Sequence, residues 1–458
     1  MTRRVALSVL GSGALGCGAL SAQTLDRTKP PEPSAPRPCK LPPLFETRLP
    51  NGLTVLLVED GRLPLVTVRL AFRCGNRRDP KNLPGVAAAV AELMTVATTT
   101  RGSIQIVEAV DTMGGSLSAS AGADHLSVNG AIEPDSLPGL LEIMADVARN
   151  ADFSDIDLRL YKQSRKLTLA RQYTQSSFAA GYVLRQTLFG DHPYARIAPT
   201  PGSLDALKRV DLLDYRDKWL APNNAFLIML GRIPARADAV KMITERLGAW
   251  DQKVLPEAKP EPLPKPAKKL ILFDNPGAAQ VEVRLGKIAA TQRDADYFAE
   301  LVGLTIAGGV PVSPDVRIEH AAFDEAGYLS ASLQVSNAAA GEALQGMLTR
   351  LDRIAAGPIT GKELADAKGF AEGRFLLQLE TQAGLADELM VEKIQGLPAN
   401  YLELWRTRME AVKPEEVQAA AQKYLSTQDS VIVVVGDASK IQESLGKVGK
   451  FEVMKGGK

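Results

Sequence analysis

Histidine is scarce in this chain: among 458 residues only His125, His192 and His320 carry an imidazole. A catalytic zinc centre of the His-rich kind takes two imidazoles from one helical face, and no two histidines here stand three or four residues apart. His192 lies in Gly190-Asp191-His192-Pro193-Tyr194, where aspartate and proline favour a turn over metal binding. His125 opens a strand-like segment, and His320, in Arg317-Ile318-Glu319-His320, reads as isolated. No G-x-S-x-G elbow, P-loop or C-x-x-C pair is present, and the sequence justifies no Ser–His–Asp arrangement. Carboxylates vanish over a long tract: after Asp157 none occurs until Asp191. No catalytic, cofactor-binding or metal-ligating residue is therefore expected.

Bulk properties exclude further classes. Apolar residues make up 45% and charged residues 23%, an ordinary globular composition. A net charge of +1 and 5% aromatics supply neither the basic surface nor the stacking platforms of a nucleic-acid binder. The N-terminus reads as a secretory signal over residues 1–22: Arg3-Arg4, then an uncharged apolar run from Val5 to Leu20, with cleavage expected after Ala22. The alternative is lipid attachment at Cys17. No later segment is apolar enough to span a bilayer, so the expected location is the periplasm or cell envelope. Cleavage leaves Cys39 and Cys74, which read as two unpaired thiols.

The chain is expected to divide as follows. Residues 23–44 are rich in proline (Pro30, Pro31, Pro33, Pro36, Pro38) and form a tether. Residues 45–251 form a first module. Residues 252–267, with Pro256, Pro260, Pro262, Pro264 and Pro266, form a linker, since such a run builds neither helix nor central strand. Residues 268–458 form a second module. Periodicity predicts strands at 53–58, 66–72, 116–120 and 126–131 in the first module, with helices at 84–97, 103–113, 135–149 and 155–175. The second module repeats this order: strands at 269–273, 280–286 and 327–335, with helices at 294–307, 340–355 and 360–380. The segment 215–231 matches 421–437, each a helix end, a turn and an apolar strand stopped by glycine. Without strict β-α-β alternation the class is α+β with antiparallel-rich sheets.

Several local motifs in this order resemble peptidase family M16, the pitrilysin/insulinase metallopeptidases. Leu49-Pro50-Asn51-Gly52-Leu53 resembles the opening strand of that family, and Gly85 to Met94 stands where its G-L-A-H-x-x-E-H helix runs. Active members hold zinc with the two histidines and use the glutamate as general base. Here those three positions read Ala88, Ala91 and Glu92. The family's third zinc ligand, a glutamate on a later helix, falls in the carboxylate-free tract. His192-Pro193-Tyr194 resembles a further family segment. Gly308-Gly309 and Gly327-Tyr328-Leu329-Ser330 resemble the ends of the segment that contacts substrate. On that alignment the family's arginine and second tyrosine become Phe323 and Ser330.

The resemblance spans about residues 45–440 and implies two homologous α+β modules facing each other. It also implies a function: a non-catalytic subunit of an exported peptidase, closing a chamber and helping hold peptide for an H-x-x-E-H-bearing partner. Zinc is then expected only in that partner. The alternative is a stand-alone envelope protein that binds peptide or acts as a scaffold, without proteolysis.

Overall fold

The computed structural model describes residues 40–257, 260–265, 267–309 and 316–455. The predicted signal segment, most of the tether, Cys17 and Cys39 lie outside these residues. The first half runs β1 (Leu44–Arg48), β2 (Thr54–Glu59), β3 (Val66–Phe72), α1 (Val86–Met94), α2 (Ser103–Thr112), β4 (Ser116–Ala121), β5 (Leu126–Ile132), α3 (Leu137–Asn150), α4 (Asp155–Tyr173), α5 (Ser176–Phe189), α6 (Pro201–Ala206), α7 (Arg209–Trp219), β6 (Ala225–Gly231) and α8 (Arg236–Leu247). The second half runs β7 (Lys269–Asp274), β8 (Gln280–Ala289), α9 (Tyr297–Gly308), β9 (Arg317–Ala322), β10 (Gly327–Ser336), α10 (Ala340–Ala356), α11 (Gly361–Leu379), α12 (Gln382–Ile394), α13 (Tyr401–Ala411), α14 (Pro414–Tyr424), β11 (Val431–Gly436), α15 (Ala438–Leu445) and β12 (Glu452–Lys455).

The repeat seen in sequence is a repeat of wiring. The first sheet has strand order β1-β2-β6-β3-β5-β4 and the second β12-β7-β11-β8-β10-β9. In each, the last strand of the repeat enters the middle: β6 lies parallel to β2 and antiparallel to β3, as β11 lies to β7 and β8. The remaining pairs are antiparallel except β12–β7, so the α+β, antiparallel-rich class holds. Central placement explains why Ala225–Gly231 is apolar at every position: it is buried along its whole length. A strand covered on both faces has no solvent side to alternate with. Gly231 ends it at φ 131°, where a Cβ would lie 2.1 Å from the Leu65 carbonyl oxygen. Only glycine fits that close approach.

What covers the two faces was not legible. One face of the first sheet packs on its own helices through Val55, Leu57, Val68, Leu70, Leu227 and Met229. The other face, Leu56, Val58, Ala71, Phe226, Ile228 and Leu230, joins the core of the second half. There α12 lies across β3 and β6 with Leu385, Ala386, Leu389 and Met390 buried. The arrangement is reciprocal: α5 lies across β8 and β11, with Val183, Leu184, Leu188 and Phe189 packed on Val431, Val433 and Val435. Each half therefore lends one helix to the sheet of the other, and residues 41–458 form a single compact unit. The sequence reading passed over both helices, and also over β1, which adds an edge strand where the tether was expected to end. Over 252–267 the described residues form neither helix nor strand, as the proline spacing predicts.

Candidate functional site

Helix α1 is set in place before its first turn. Gly85 has φ 102°, and a Cβ there would lie 2.7 Å from the Pro199 Cβ, so the turn requires glycine. The Asp79 carboxylate accepts the N–H groups of Gly85 and Ala87 at 2.7 and 2.8 Å. It thereby satisfies donors that a helix start leaves without partners. Arg196 Nη1 donates to the Asp79 carbonyl at 2.6 Å, and Ser203 Oγ donates to the Pro84 carbonyl at 2.8 Å. Burial pushes the Asp79 carboxyl up to about 7, against the pull of those backbone N–H groups. Val86, Val90, Leu93 and Met94 face the core.

The three family positions follow. Ala88 is half-buried, Ala91 is buried and Glu92 is exposed. Helix α4 packs against α1 and buries Leu158, Tyr161 and Leu169. The Tyr161 hydroxyl is buried without a hydrogen-bond partner. Desolvation raises its pKa to about 12, with Arg165 opposing and the Glu92 and Asp79 charges adding. These residues do not fit zinc. Two alanines have no donor atom, one exposed carboxylate is a single ligand, and α4 carries no Asp or Glu after Asp157. Among the described residues no group of three or more His, Cys, Asp or Glu is placed to hold a metal ion.

What remains beside α1 is a free strand edge. β4 pairs with β5 on one side only and packs against α1 on the way. Its outward side chains are small: Ser116, Ser118 and Ser120 are exposed, and Leu117, Ala119 and Ala121 are half-buried. Such an edge presents a row of N–H and C=O groups to which an extended peptide can add. Next to it, a groove of about 600 Å³ is lined by Thr67, Arg69, Ser116, Ser118, Asn129 and Gln382, the last from the start of α12. Arg69 is held by Asp387 of α12 at 2.9 Å. The helix lent by the second half thus forms one wall of the groove.

The other sequence-predicted residues gather at a buried contact between the halves. His192 Nδ1 accepts the Tyr194 N–H at 3.2 Å, closing the expected turn. Tyr194 Oη donates to Asp124 at 2.7 Å and accepts the Glu325 N–H at 3.0 Å. Phe323 packs on the Tyr194 ring, and the Arg185 guanidinium lies over Phe189, Phe323 and Tyr328. Phe323 and Tyr328 are thus packing residues of this contact, and Ser330 is fully buried. Sequence reasoning missed the centre of the cluster. Arg77, with its side chain 9% exposed, lies 3.4 Å from Asp124, 2.8 Å from Asp324 and 3.1 Å from Glu325. The charges themselves were visible as Arg77-Arg78 and Asp324-Glu325, but their meeting was not.

His320 is not isolated. It lies in β9 with Nε2 3.8 Å from Glu300 of α9, and its ring packs on Tyr297. Burial raises the Glu300 carboxyl to about 8 and lowers the His320 imidazole to about 4, so both are neutral near pH 6. A carboxyl whose folded pKa is raised keeps its proton in the folded chain and loses it on unfolding. Its contribution is therefore present below about pH 4.5 and is lost as pH rises toward 8. We expect Glu300→Gln, which retains an oxygen for the Ala290 N–H, to flatten the fall of stability between pH 5 and 8 by on the order of 3 kcal/mol. Urea unfolding at several pH values is the measurement. Parallel pH profiles for the two proteins would refute the assignment. His125 is half-buried in the turn before β5, and burial lowers its pKa. The Cys74 thiol is buried and pushed up to about 11 by desolvation, which makes it inert.

Comparison with known proteins agrees with this architecture. Residues 54–195 match the insulinase family, peptidase family M16, and residues 206–370 match the peptidase M16 inactive domain. The chain belongs to peptidase family M16. A Mycobacterium leprae protein described as an uncharacterized zinc protease is 22% identical over 413 residues, covering 86% of this chain and 92% of its own. A Helicobacter pylori protein described as a non-peptidase homologue is 20% identical over 400 residues, covering 84% of this chain and 92% of its own. The crystal structure of a peptidase M16 inactive domain from Pseudomonas fluorescens shares the fold, with a TM-score of 0.79 at 23% identity over 86% of this chain and 98% of that one. The inactive-domain match and the non-peptidase relative fit a non-catalytic member of the family.

Proposed function

We propose that this chain is the non-catalytic subunit of an exported M16 peptidase, closing the chamber and helping hold peptide for a partner that carries the intact H-x-x-E-H helix and the zinc. One observation carries the reading: the loss is confined to the chemistry. The helix α1, its bracing by Asp79, Arg196 and Ser203, the free β4 edge and both sheets are built, while the ligand and base positions are Ala88, Ala91 and Glu92. A peptide needs an enclosing surface and an edge to pair with as much as it needs a nucleophile, and those parts remain. Location in the periplasm or envelope follows from Arg3-Arg4 and the apolar run to Leu20, which lie outside the described residues. None of the described helices is long and apolar enough to cross a membrane.

The test is co-purification from the native envelope fraction, then reconstitution with the intact family member recovered. We expect a stable complex on gel filtration, peptidase activity only with both chains present, and zinc accompanying the partner. Full activity of the intact chain alone, with no complex at micromolar concentration, would replace this reading with a stand-alone peptide-binding protein. Chelator-sensitive hydrolysis by this chain alone would end both readings.

A further inference from the structure

Helix α4 carries its apolar residues on two opposite faces. Leu158, Tyr161 and Leu169 are buried against the first half, as a surface helix requires. The middle of the opposite face holds Ile156, Leu160 and Leu167, which are 61%, 56% and 68% exposed. Positions 156, 160 and 167 fall within about 40° of one another around a helix of 3.6 residues per turn. Three large aliphatics in one solvent-facing stripe are a surface with unspent burial.

Beside the stripe lies a ridge of cations. Arg159, Lys162 and Lys166 project from α4 into a groove of about 430 Å³, whose far wall holds Lys208 and Arg209 at the start of α7. One carboxylate, Asp155, lines the groove with them. Lys166 pairs with Asp205, Lys162 donates to the Asp205 carbonyl at 3.2 Å, and Arg209 pairs with Asp152 at 3.0 Å. Arg159 and Lys208 make no side-chain hydrogen bond or ion pair among the described residues, so their charges are available. Five cations, Arg159, Lys162, Lys166, Lys208 and Arg209, thus stand at the groove against the three carboxylates of Asp152, Asp155 and Asp205. The positive charge is local.

We propose that the outer face of α4 and the groove beside it bind an acidic, apolar-bearing peptide segment, its carboxylates on Arg159, Lys162 and Lys208 and its apolar side chains on Ile156, Leu160 and Leu167. The proposal rests on the preceding reading only in taking peptide as the ligand, and it names the class of peptide. Charge complementarity selects an acidic occupant. Three aliphatic side chains and three cations are few beside the roughly 20–30 residues a side of a stable protein–protein interface, which favours a short segment over a folded subunit. Asp152, Asp155 and Asp205 stand among the cations, an interspersed pattern that a peptide with discrete carboxylates matches and a uniformly anionic bilayer does not, which selects peptide over membrane.

The experiment is fluorescence anisotropy of a labelled Glu/Leu-alternating peptide titrated with the whole chain, with no partner subunit present. Its outcome is thus independent of whether a catalytic partner exists. A Lys/Leu peptide of the same pattern and phosphatidylglycerol vesicles are the other arms. The expected result is saturable binding of the acidic peptide that weakens in 0.5 M salt. The variant Arg159→Glu/Lys162→Glu/Lys208→Glu is expected to bind about tenfold or more weakly, because each exposed pair contributes roughly 0.2–1 kcal/mol. The variant Ile156→Ser/Leu160→Ser/Leu167→Ser should weaken binding similarly. Five of the six sites are exposed and Lys162 is half-buried, and an unchanged melting temperature will confirm folding. No saturable binding, binding by either triple variant as tight as by the parent chain, or equal binding of the Lys/Leu peptide would overturn the proposal. So would vesicle binding that is lost in the variants while the acidic peptide fails to bind.

Discussion

Residues 41–251, produced without the second half, are expected to give no cooperative thermal transition and to aggregate. The reason is the exchange of helices. In the whole chain Leu56, Val58, Phe226, Ile228 and Leu230 belong to the core of the second half, and Val183, Leu184, Leu188 and Phe189 of α5 lie on the second sheet. Burying a large aliphatic or aromatic side chain contributes about 1.5–3 kcal/mol. Five such residues on the first sheet alone are worth on the order of 10 kcal/mol, as much as the whole net stability of a typical domain. The cut also leaves a contiguous apolar patch in water, and such patches drive association. Mixing the fragment with residues 252–458 is expected to restore a single transition. A monomeric first fragment melting sharply near the temperature of the intact chain would show that the halves are independent. The proline-rich segment would then be a linker in the full sense.

Replacing Arg77 by methionine is expected to cost about 3–5 kcal/mol in urea unfolding. The substitution keeps the side-chain bulk and leaves Asp124, Asp324 and Glu325 without their shared cation, and an uncompensated buried charge is the costly outcome of breaking such a cluster. The defect has a predictable pH dependence. Burial already raises the Asp124 carboxyl, and the nearby Arg77 charge opposes that rise. Without the guanidinium the folded pKa climbs further above its unfolded value. Stability is then lost as pH rises through that folded pKa and is recovered as pH falls. The variant should therefore lie closest to the parent near pH 4 and furthest above pH 7. Asp324 keeps Arg293 at 2.9 Å and Glu325 faces His192, so adding Asp124→Asn should recover part of the loss by removing the stranded charge. A loss below about 1 kcal/mol, in the range of surface ion pairs, would mean that water reaches the cluster and screens it.

These two results bear on the same boundary between what a sequence carries and what it does not. Strand and helix periods are properties of neighbouring residues, so β2, β3, β5, α1, α3 and α4 were legible within a few positions. The repeat was legible because each half must build the same ladder in the same order, and Ala225–Gly231 and Val431–Gly436 announced central strands by being apolar throughout. The identities of Ala88, Ala91 and Glu92 are likewise read from the sequence, and none but Glu92 carries a donor atom for a metal. The helices α5 and α12 were less visible. α5 begins without a side-chain cap and carries Gly181, so its start signal is weak; α12 does have a start signal, the Thr381 cap, but carries Gly384 in its first turn.

Only the tertiary structure decided what those helices cover, because the partner of α12 lies more than 150 residues back in the chain and hydrophobic attraction has no direction. The same limit explains His320, which is solitary in sequence but faces Glu300 across a helix–strand contact. It also explains Arg77, whose three carboxylates come from two hairpin turns about 200 residues apart. Residue identity and spacing determined the elements and their repeat. Which apolar face meets which, and which charges are sealed between them, was settled by packing, since close-packed interiors accept only arrangements in which both sides fit.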